Sequence, residues 1–297
     1  MAIRERSGRL SPAAGDRLDA ELAGLDALEL HDDGTPSGAR RLWSAAWPKL
    51  AAVGIAIGFW QLVVMLGWKP EFVLPSPFTA LDQLWQDAKT AEFWEAIGTT
   101  MRRAGIGFAL AVAIGGVLGA AVSQSKILRS AVGSLITGLQ TMPSIAWFPL
   151  AVLLFKRTEA AILFVIILGA APSVANGLIS GIDQVPPLLL RAGRVLGARG
   201  LSSWRHVVIP AALPNVVAGL KQGWAFAWRS LLAGELLVTI ANKSSIGVDL
   251  DTARQLSDSA KVMAVMIVIL VIGIIVDSVF FGTVERSLRR RRGLAEH

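Results

Sequence analysis

Six stretches of this chain, residues 50–66, 104–122, 131–155, 160–182, 214–240 and 262–284, are almost wholly apolar over 17 or more residues each. A backbone surrounded by lipid has to satisfy its own amides within the segment, so an apolar run of roughly 20 residues reads as a helix crossing about 30 Å of hydrocarbon. The first four runs contain no charged residue, whereas the fifth holds Lys221, Arg229 and Glu235 and the sixth holds Asp277. With 53% hydrophobic and 17% charged residues the chain is too apolar for an ordinary soluble domain. The expectation is an all-α, polytopic membrane protein with six transmembrane helices.

The positive charges give the orientation. The net charge is +7, but Lys and Arg fall in short segments between apolar runs and form no stripe interleaved with aromatics, which argues against a nucleic-acid partner. With the N-terminus inside, the cytoplasmic segments hold eighteen Lys and Arg and the outer ones nine. That bias predicts both termini in the cytoplasm. Residues 1–41 read as a cytoplasmic tail in which Leu18, Leu22, Leu25 and Leu28 mark a short amphipathic helix, either docking a partner or partly ordered. Residues 42–288 form the membrane domain, and 289–297 a basic cytoplasmic tail. Between the first two spans, Pro75-Ser76-Pro77 followed by Leu81, Leu84, Trp85 and Ala88 predicts a turn and a surface helix.

The segment between spans four and five, within 188–210, is too polar to cross a membrane yet patterned. Leu188, Ala192, Val195 and Leu196 form one helical stripe, Gly197 and Gly200 permit a bend, and Leu201, Trp204, Val207 and Val208 form a second stripe stopped by Pro210. Two short helices at an angle would make a knob that a cytosolic protein can grip, or a surface pair that caps the bundle.

This loop resembles the coupling motif of ABC importer permeases, Glu-Ala-Ala-x3-Gly-x9-Ile-x-Leu-Pro. Ala192, Gly197, Val207, Ile209 and Pro210 match in register, while Arg191 stands where the motif has Glu and Gly193 where Ala is frequent. Leu74-Pro75-Ser76-Pro77, the run from Met142 to Leu150, Ala227-Trp228-Arg229 and Gly234-Glu235 are similar to permeases of the nitrate, taurine and aliphatic-sulfonate group; Lys156 and Arg157 depart from the small residues expected there. The resemblance implies the MetI-like fold of type I importers and a bacterial inner-membrane location. It further implies a homodimer, two copies of an ATP-binding cassette subunit gripping residues 191–210, and an extracytoplasmic solute-binding protein. ATP and Mg would then be bound by the partner, with no cofactor in this chain.

The spans themselves point to a path. Pro143 and Pro149 each remove a backbone hydrogen bond, which predicts a kinked third span beside a cavity. Gln140, Thr141 and Ser144 sit on that stretch with Trp147, and either line the cavity or pack helices. Pro172, Ser173, Asn176 and Gly177 predict a comparable break in span four. In span five Lys221, Trp228 and Glu235 recur every seven residues on one face, with Arg229 about 100° away. Ionisable groups at membrane depth are costly unless they face an interior path. Arg229 would then favour a small anion, or else pair with Asp277 as a packing device, and Glu235 would lie at the outer mouth. The glycines of span two suggest close helix packing.

No phosphate-binding Gly-x4-Gly-Lys-Ser/Thr loop occurs in the sequence, and neither a nucleophile–base pair nor a metal cluster is visible; His31, His206 and His297 are scattered and Cys is absent. The reading is a transport subunit, not an enzyme, with an ion-gradient-driven secondary transporter as the alternative.

Overall fold

The computed structural model describes residues 38–240 and 243–291. The predicted helix around Leu18 to Leu28 lies outside them, as does the end of the basic tail. Among the described residues every regular element is helical. The chain divides into two compact units, residues 1–62 and 63–297. The first unit is represented by most of α1 (Gly38–Met65), a helix with Pro48 inside it and a window long and apolar enough to span from Trp47.

In the second unit, α2 (Pro77–Asp87) begins where Ser76 accepts a hydrogen bond from the Thr79 amide and Pro77 occupies the first turn, where its missing N–H costs nothing. α3 (Ala91–Gln124) follows and is the longest helix at 34 residues, about 51 Å by its rise. It therefore extends well beyond the predicted 104–122. α4 (Lys126–Thr141), a 3₁₀ turn (Ser144–Trp147) and α5 (Phe148–Phe155) occupy the expected third span. α6 (Glu159–Asp183) and α7 (Pro187–Val195) lead to a short turn of helix, Leu201–Ser203, and a π turn, Trp204–Val208. α8 (Ile209–Leu237), α9 (Ile246–Gln255), α10 (Ser259–Ile275), a second π turn (Val276–Phe281) and α11 (Gly282–Arg291) complete the chain.

α6 is the axis of this unit: 61% of its apolar window is buried, against 28% for α3. Small residues let its neighbours approach. Of the α3 glycines, Gly107, Gly115 and Gly119 face Ile166, Ala171 and Ala175 of α6, so that an added Cβ would overlap them, while Gly105 and Gly116 face open space. On the other side Gly177 of α6 meets Gly219 of α8, where a Cβ on either would lie 2.6 Å from the Cα of the other. Helices in lipid gain little from hydrophobic transfer against each other, so such close backbone contact is what holds them. Ile162, Val165, Ile166, Ala227 and Leu231 fill the shared core with no exposed surface.

Three expectations about these spans are corrected. The third span is not kinked but broken, with 103° between its two halves. Met142, which precedes a proline, is forced to an extended backbone (ψ 130°) and ends α4, whereas Pro149 sits in the first turn of α5 and disturbs nothing. Span four has no break: α6 runs through Pro172, which is buried in the tight α3–α6–α8 packing. Span five begins earlier than residue 214, because Pro210 does not stop the helix. The π turn before it carries the bond from the Ile209 amide to the Trp204 carbonyl, and α8 continues through Pro214.

Among the described residues four helices are long and apolar enough to cross a membrane, and the bent pair, taken as one span, makes a fifth. α8 has the length, at 29 residues, but its three charged residues dilute the apolar run. Of the expected six, four plain spans and one broken span meet that measure among the described residues, and the charged helix α8 does not.

Candidate functional site

The break in the third span opens a cavity of about 300 Å³ lined by Gln140, Thr141, Ser144, Trp147, Phe226 and Arg229, with Gly169 of α6 as part of its wall. Five of the residues weighed as cavity lining in the sequence thus meet in one place: Gln140, Thr141, Ser144, Trp147 and Arg229. Asn176 joins them indirectly. Its side-chain amide donates to Gln140 Oε1 (2.9 Å), and Gln140 Nε2 donates to Ser173 Oγ (2.9 Å), so the Gln140 amide is held in one orientation from behind.

Arg229 is exposed toward this space. Its Nε donates to the Ala225 carbonyl (3.0 Å) and its guanidinium lies 5.1 Å from the Phe226 ring centre. Among the described residues no carboxylate lies within ion-pair distance of it, and its two terminal nitrogens make no bond. The alternative pairing with Asp277 does not occur, since Lys221 Nζ takes both Asp277 (3.2 Å) and Glu285 (3.6 Å). A planar guanidinium with two free donors, backed by an aromatic ring, is suited to grip an oxyanion in two-point fashion.

Two candidates fall elsewhere. Trp228 is buried in the core, stacked on Trp224 at 6.3 Å, and its outer edge borders a groove on α10. The same one-residue step that points Arg229 into the cavity turns Trp228 about 100° away. Glu235 does not sit at a mouth but is wholly buried. Its Oε1 accepts from Arg103 Nη1 (2.8 Å), its Oε2 accepts from the Gly247 amide (3.1 Å), and the Thr100 hydroxyl lies within reach of both oxygens at 3.1 and 2.9 Å. Thr100 Oγ1 in turn accepts from the Ile246 amide (3.0 Å). Glu235 and Thr100 together therefore satisfy the first amides of α9, whose own leading residue Ser245 contributes no side-chain cap. Gly247 is required there, because a Cβ would lie 2.4 Å from the Glu235 Cβ.

Arg103 was missed in the sequence. It lies one residue outside the predicted second span and pairs across 132 positions. Its Nη2 reaches Glu159 (3.3 Å), which also pairs with Arg102 (3.6 Å) and Lys243. The network ties α3, α6, α8 and α9 at one end of the bundle. The helix α9 at that end carries two carboxyls of opposite character. Burial pushes Asp249 up, against the pull of Lys261 and Ser244, with Asp87 and Glu92 adding to the rise. Hydrogen bonding from Arg254 holds Asp251 down.

At the other end of α6 and α8 lies the patterned loop. Gly193 is buried, and a Cβ there would meet Val207 at 2.8 Å, so the departure from Ala lets α7 lie directly on the turn before α8. Leu190, Trp204, Val185, Val208 and Ala212 complete that seat. Gly197 (φ +84°) and Gly200 (φ +53°) take the left-handed backbone of the bend. The first stripe faces outward: Leu188, Ala192, Val195 and Leu196 are all exposed, and Arg191, Ile209 and Pro210 are exposed as well. The second stripe is divided, with Leu201 exposed and Val208 buried. The second helix is a short turn, Leu201–Ser203, that runs through the π turn directly into α8.

Comparison with known proteins places this geometry in context. The family model for the binding-protein-dependent transport system inner membrane component matches residues 94–290. The putative aliphatic sulfonates transport permease protein SsuC of Bacillus subtilis (strain 168) is 31% identical over 251 residues, covering 84% of this chain and 90% of that protein. The taurine transport system permease protein TauC of Escherichia coli (strain K12) is 27% identical, covering 82% and 90%. The nitrate import permease protein NrtB of Synechococcus elongatus (strain ATCC 33912 / PCC 7942 / FACHB-805) is 27% identical, covering 64% and 71%. Among solved structures, an inward-facing MetNI methionine ABC transporter matches with a TM-score of 0.54 at 20% identity, covering 66% of this chain and 93% of that one, a likeness of fold.

Proposed function

The chain belongs to the family of binding-protein-dependent transport system inner membrane components, as a multi-pass ABC permease subunit and not an enzyme, and from that premise we propose that it carries a small oxyanion past Arg229. The single observation supporting this is that Arg229 lines a cavity in a membrane-spanning bundle with two guanidinium nitrogens unbonded among the described residues. A cation at membrane depth without a counter-charge is expensive. A solute anion that moves through supplies the counter-charge only while it is there. The relatives' printed substrates, aliphatic sulfonates, taurine and nitrate, all present such an oxyanion.

Around this centre the parts take roles. Gln140, oriented by Asn176 and Ser173, and the Ser144 hydroxyl offer neutral donors beside the charge, and Trp147 closes one wall. Residues 191–210 form the contact with an ATP-binding subunit that holds the ATP and Mg. Two permease copies and two such subunits make the importer, a solute-binding protein delivers the anion at the α2 and α9 end, and both termini are cytoplasmic. A membership in this family favours ATP-driven import over a gradient-driven carrier.

The test is Arg229→Gln in the assembled importer reconstituted in vesicles. Uptake is expected to fall at least about tenfold, one lost charge-assisted contact, with unchanged yield of complex. Normal uptake, or a loss that tracks failed assembly, would reject the path.

A further inference from the structure

From residue 184 to residue 234 the chain contains no Asp or Glu, while Arg191, Arg194, Arg199 and Arg205 all lie in the loop before α8 and all are exposed. Arg194 Nε reaches only the Leu190 carbonyl (3.4 Å), and none of the four makes an ion pair among the described residues. Leu188, Arg191 and Val195, spaced three and four apart, share one exposed face of α7. Around the bend Val195, Leu196 and Leu201 are 86–88% exposed. Since Gly193 and Leu190 seat the opposite face on the start of α8, the knob has a fixed shape: an apolar tip surrounded by guanidinium groups.

Such a tip is complementary to an apolar socket with a carboxylate rim. We propose that Arg191 is a specificity-determining residue that pairs with a carboxylate on the rim of the ATP-binding subunit's socket. This rests on the reading of residues 191–210 as the ATPase contact. The coupling motif usually has Glu at this position, so the charge is reversed, and a rim built for Glu presents the wrong sign. Like charges set against each other across an interface reject the partner, whereas complementary ones speed association and fix register. Arg suits the place better than Lys, because the guanidinium is less strongly hydrated and meets a carboxylate with two parallel bonds. The side chain carries no packing within the permease, so its replacement leaves the fold intact.

The full-length permease in neutral phosphatidylcholine nanodiscs is titrated with the ATP-binding subunit of its own importer at low and high NaCl, comparing the native chain with Arg191→Met, Arg191→Glu and Leu196→Asp. Arg191→Met is expected to weaken binding about tenfold and flatten its salt dependence, and Arg191→Glu about a hundredfold. A rim Asp or Glu of the ATPase changed to Lys is expected to restore Arg191→Glu. Native affinity and salt dependence in Arg191→Glu would overturn the charge pairing. If Leu196→Asp then abolishes binding, the docking reading stands and only the charge inference falls; if it too binds normally, the docking reading falls with it. An Arg191 effect that appears only when the discs contain anionic phosphatidylglycerol would assign the charge to the membrane surface and also overturn the proposal.

Discussion

Replacing Glu235 with Gln removes one charge from a site with no access to water and leaves the shape almost unchanged. Both carboxylate oxygens of Glu235 receive donors: Arg103 and Thr100 on one, Gly247 N–H and Thr100 on the other. A carboxamide has one acceptor and one NH₂, so in either orientation its NH₂ faces a donor, the Arg103 guanidinium or the Gly247 amide. Arg103 is 2% exposed and already has Nε unpartnered among the described residues, so only Glu159, itself partly exposed, remains to balance it. Leaving one member of a buried ion pair without its partner costs about 3–5 kcal/mol. At about 2–4 °C per kcal/mol for a chain of this size, the purified importer should melt roughly 6–20 °C lower. Arg103→Met leaves the Glu235 carboxylate buried without its cation and should cost a similar amount, and the double variant should be less destabilised than the sum of the two by about 1–3 kcal/mol. Thermal melting in detergent, followed by intrinsic Trp fluorescence, reads all four proteins. A Glu235→Gln melt within 2 °C of the native one in that assay, about the shift of a single kcal/mol, with additive double-variant behaviour, would refute the idea that this network fastens α9 to α3 and α8.

The α6–α8 crossing gives a second prediction. Gly219→Ala puts a methyl group 2.6 Å from the Gly177 Cα and 3.1 Å from the Ser173 carbonyl, both backbone; overpacking of this kind costs about 1–3 kcal/mol, read as a lower melting temperature and lower membrane yield, and native values would show that the crossing is looser than described. Asp249 gives the pH dependence. Its carboxyl is raised by burial in the folded chain, so its contribution to stability is present at acid pH and lost as pH rises through the folded pKa. Asp249→Asn, which keeps the acceptor for Ser244, should therefore raise the melting temperature at pH 7, with the gain shrinking toward acid pH. A gain that grows on acidification would contradict the assignment. Asp251, lowered by Arg254, acts in the opposite sense, contributing above its unfolded pKa and losing that contribution as pH falls.

How much could be read from residues alone follows from the range of the forces. That the chain spans a membrane, and where the plain spans run, is settled by composition over about 20 neighbouring residues, because lipid offers the backbone no partner outside the segment. The bend at Gly197 and Gly200 is equally local, a matter of positive φ at two positions. The bent shape of the 188–210 loop was therefore legible, and so, in outline, was the convergence of Gln140, Ser144 and Arg229. A proline's effect was only half legible: Pro143 breaks a helix, while Pro149, Pro172 and Pro214 do not, because turn position and packing decide whether a missing N–H matters. Tertiary structure alone settled the fate of the charges. Lys221 went to Asp277, Glu235 to Arg103 and Arg229 to the cavity, since a charge taken out of water is stabilised by whichever group the packed helices bring within about 3 Å, and spacing along the chain carries no record of that.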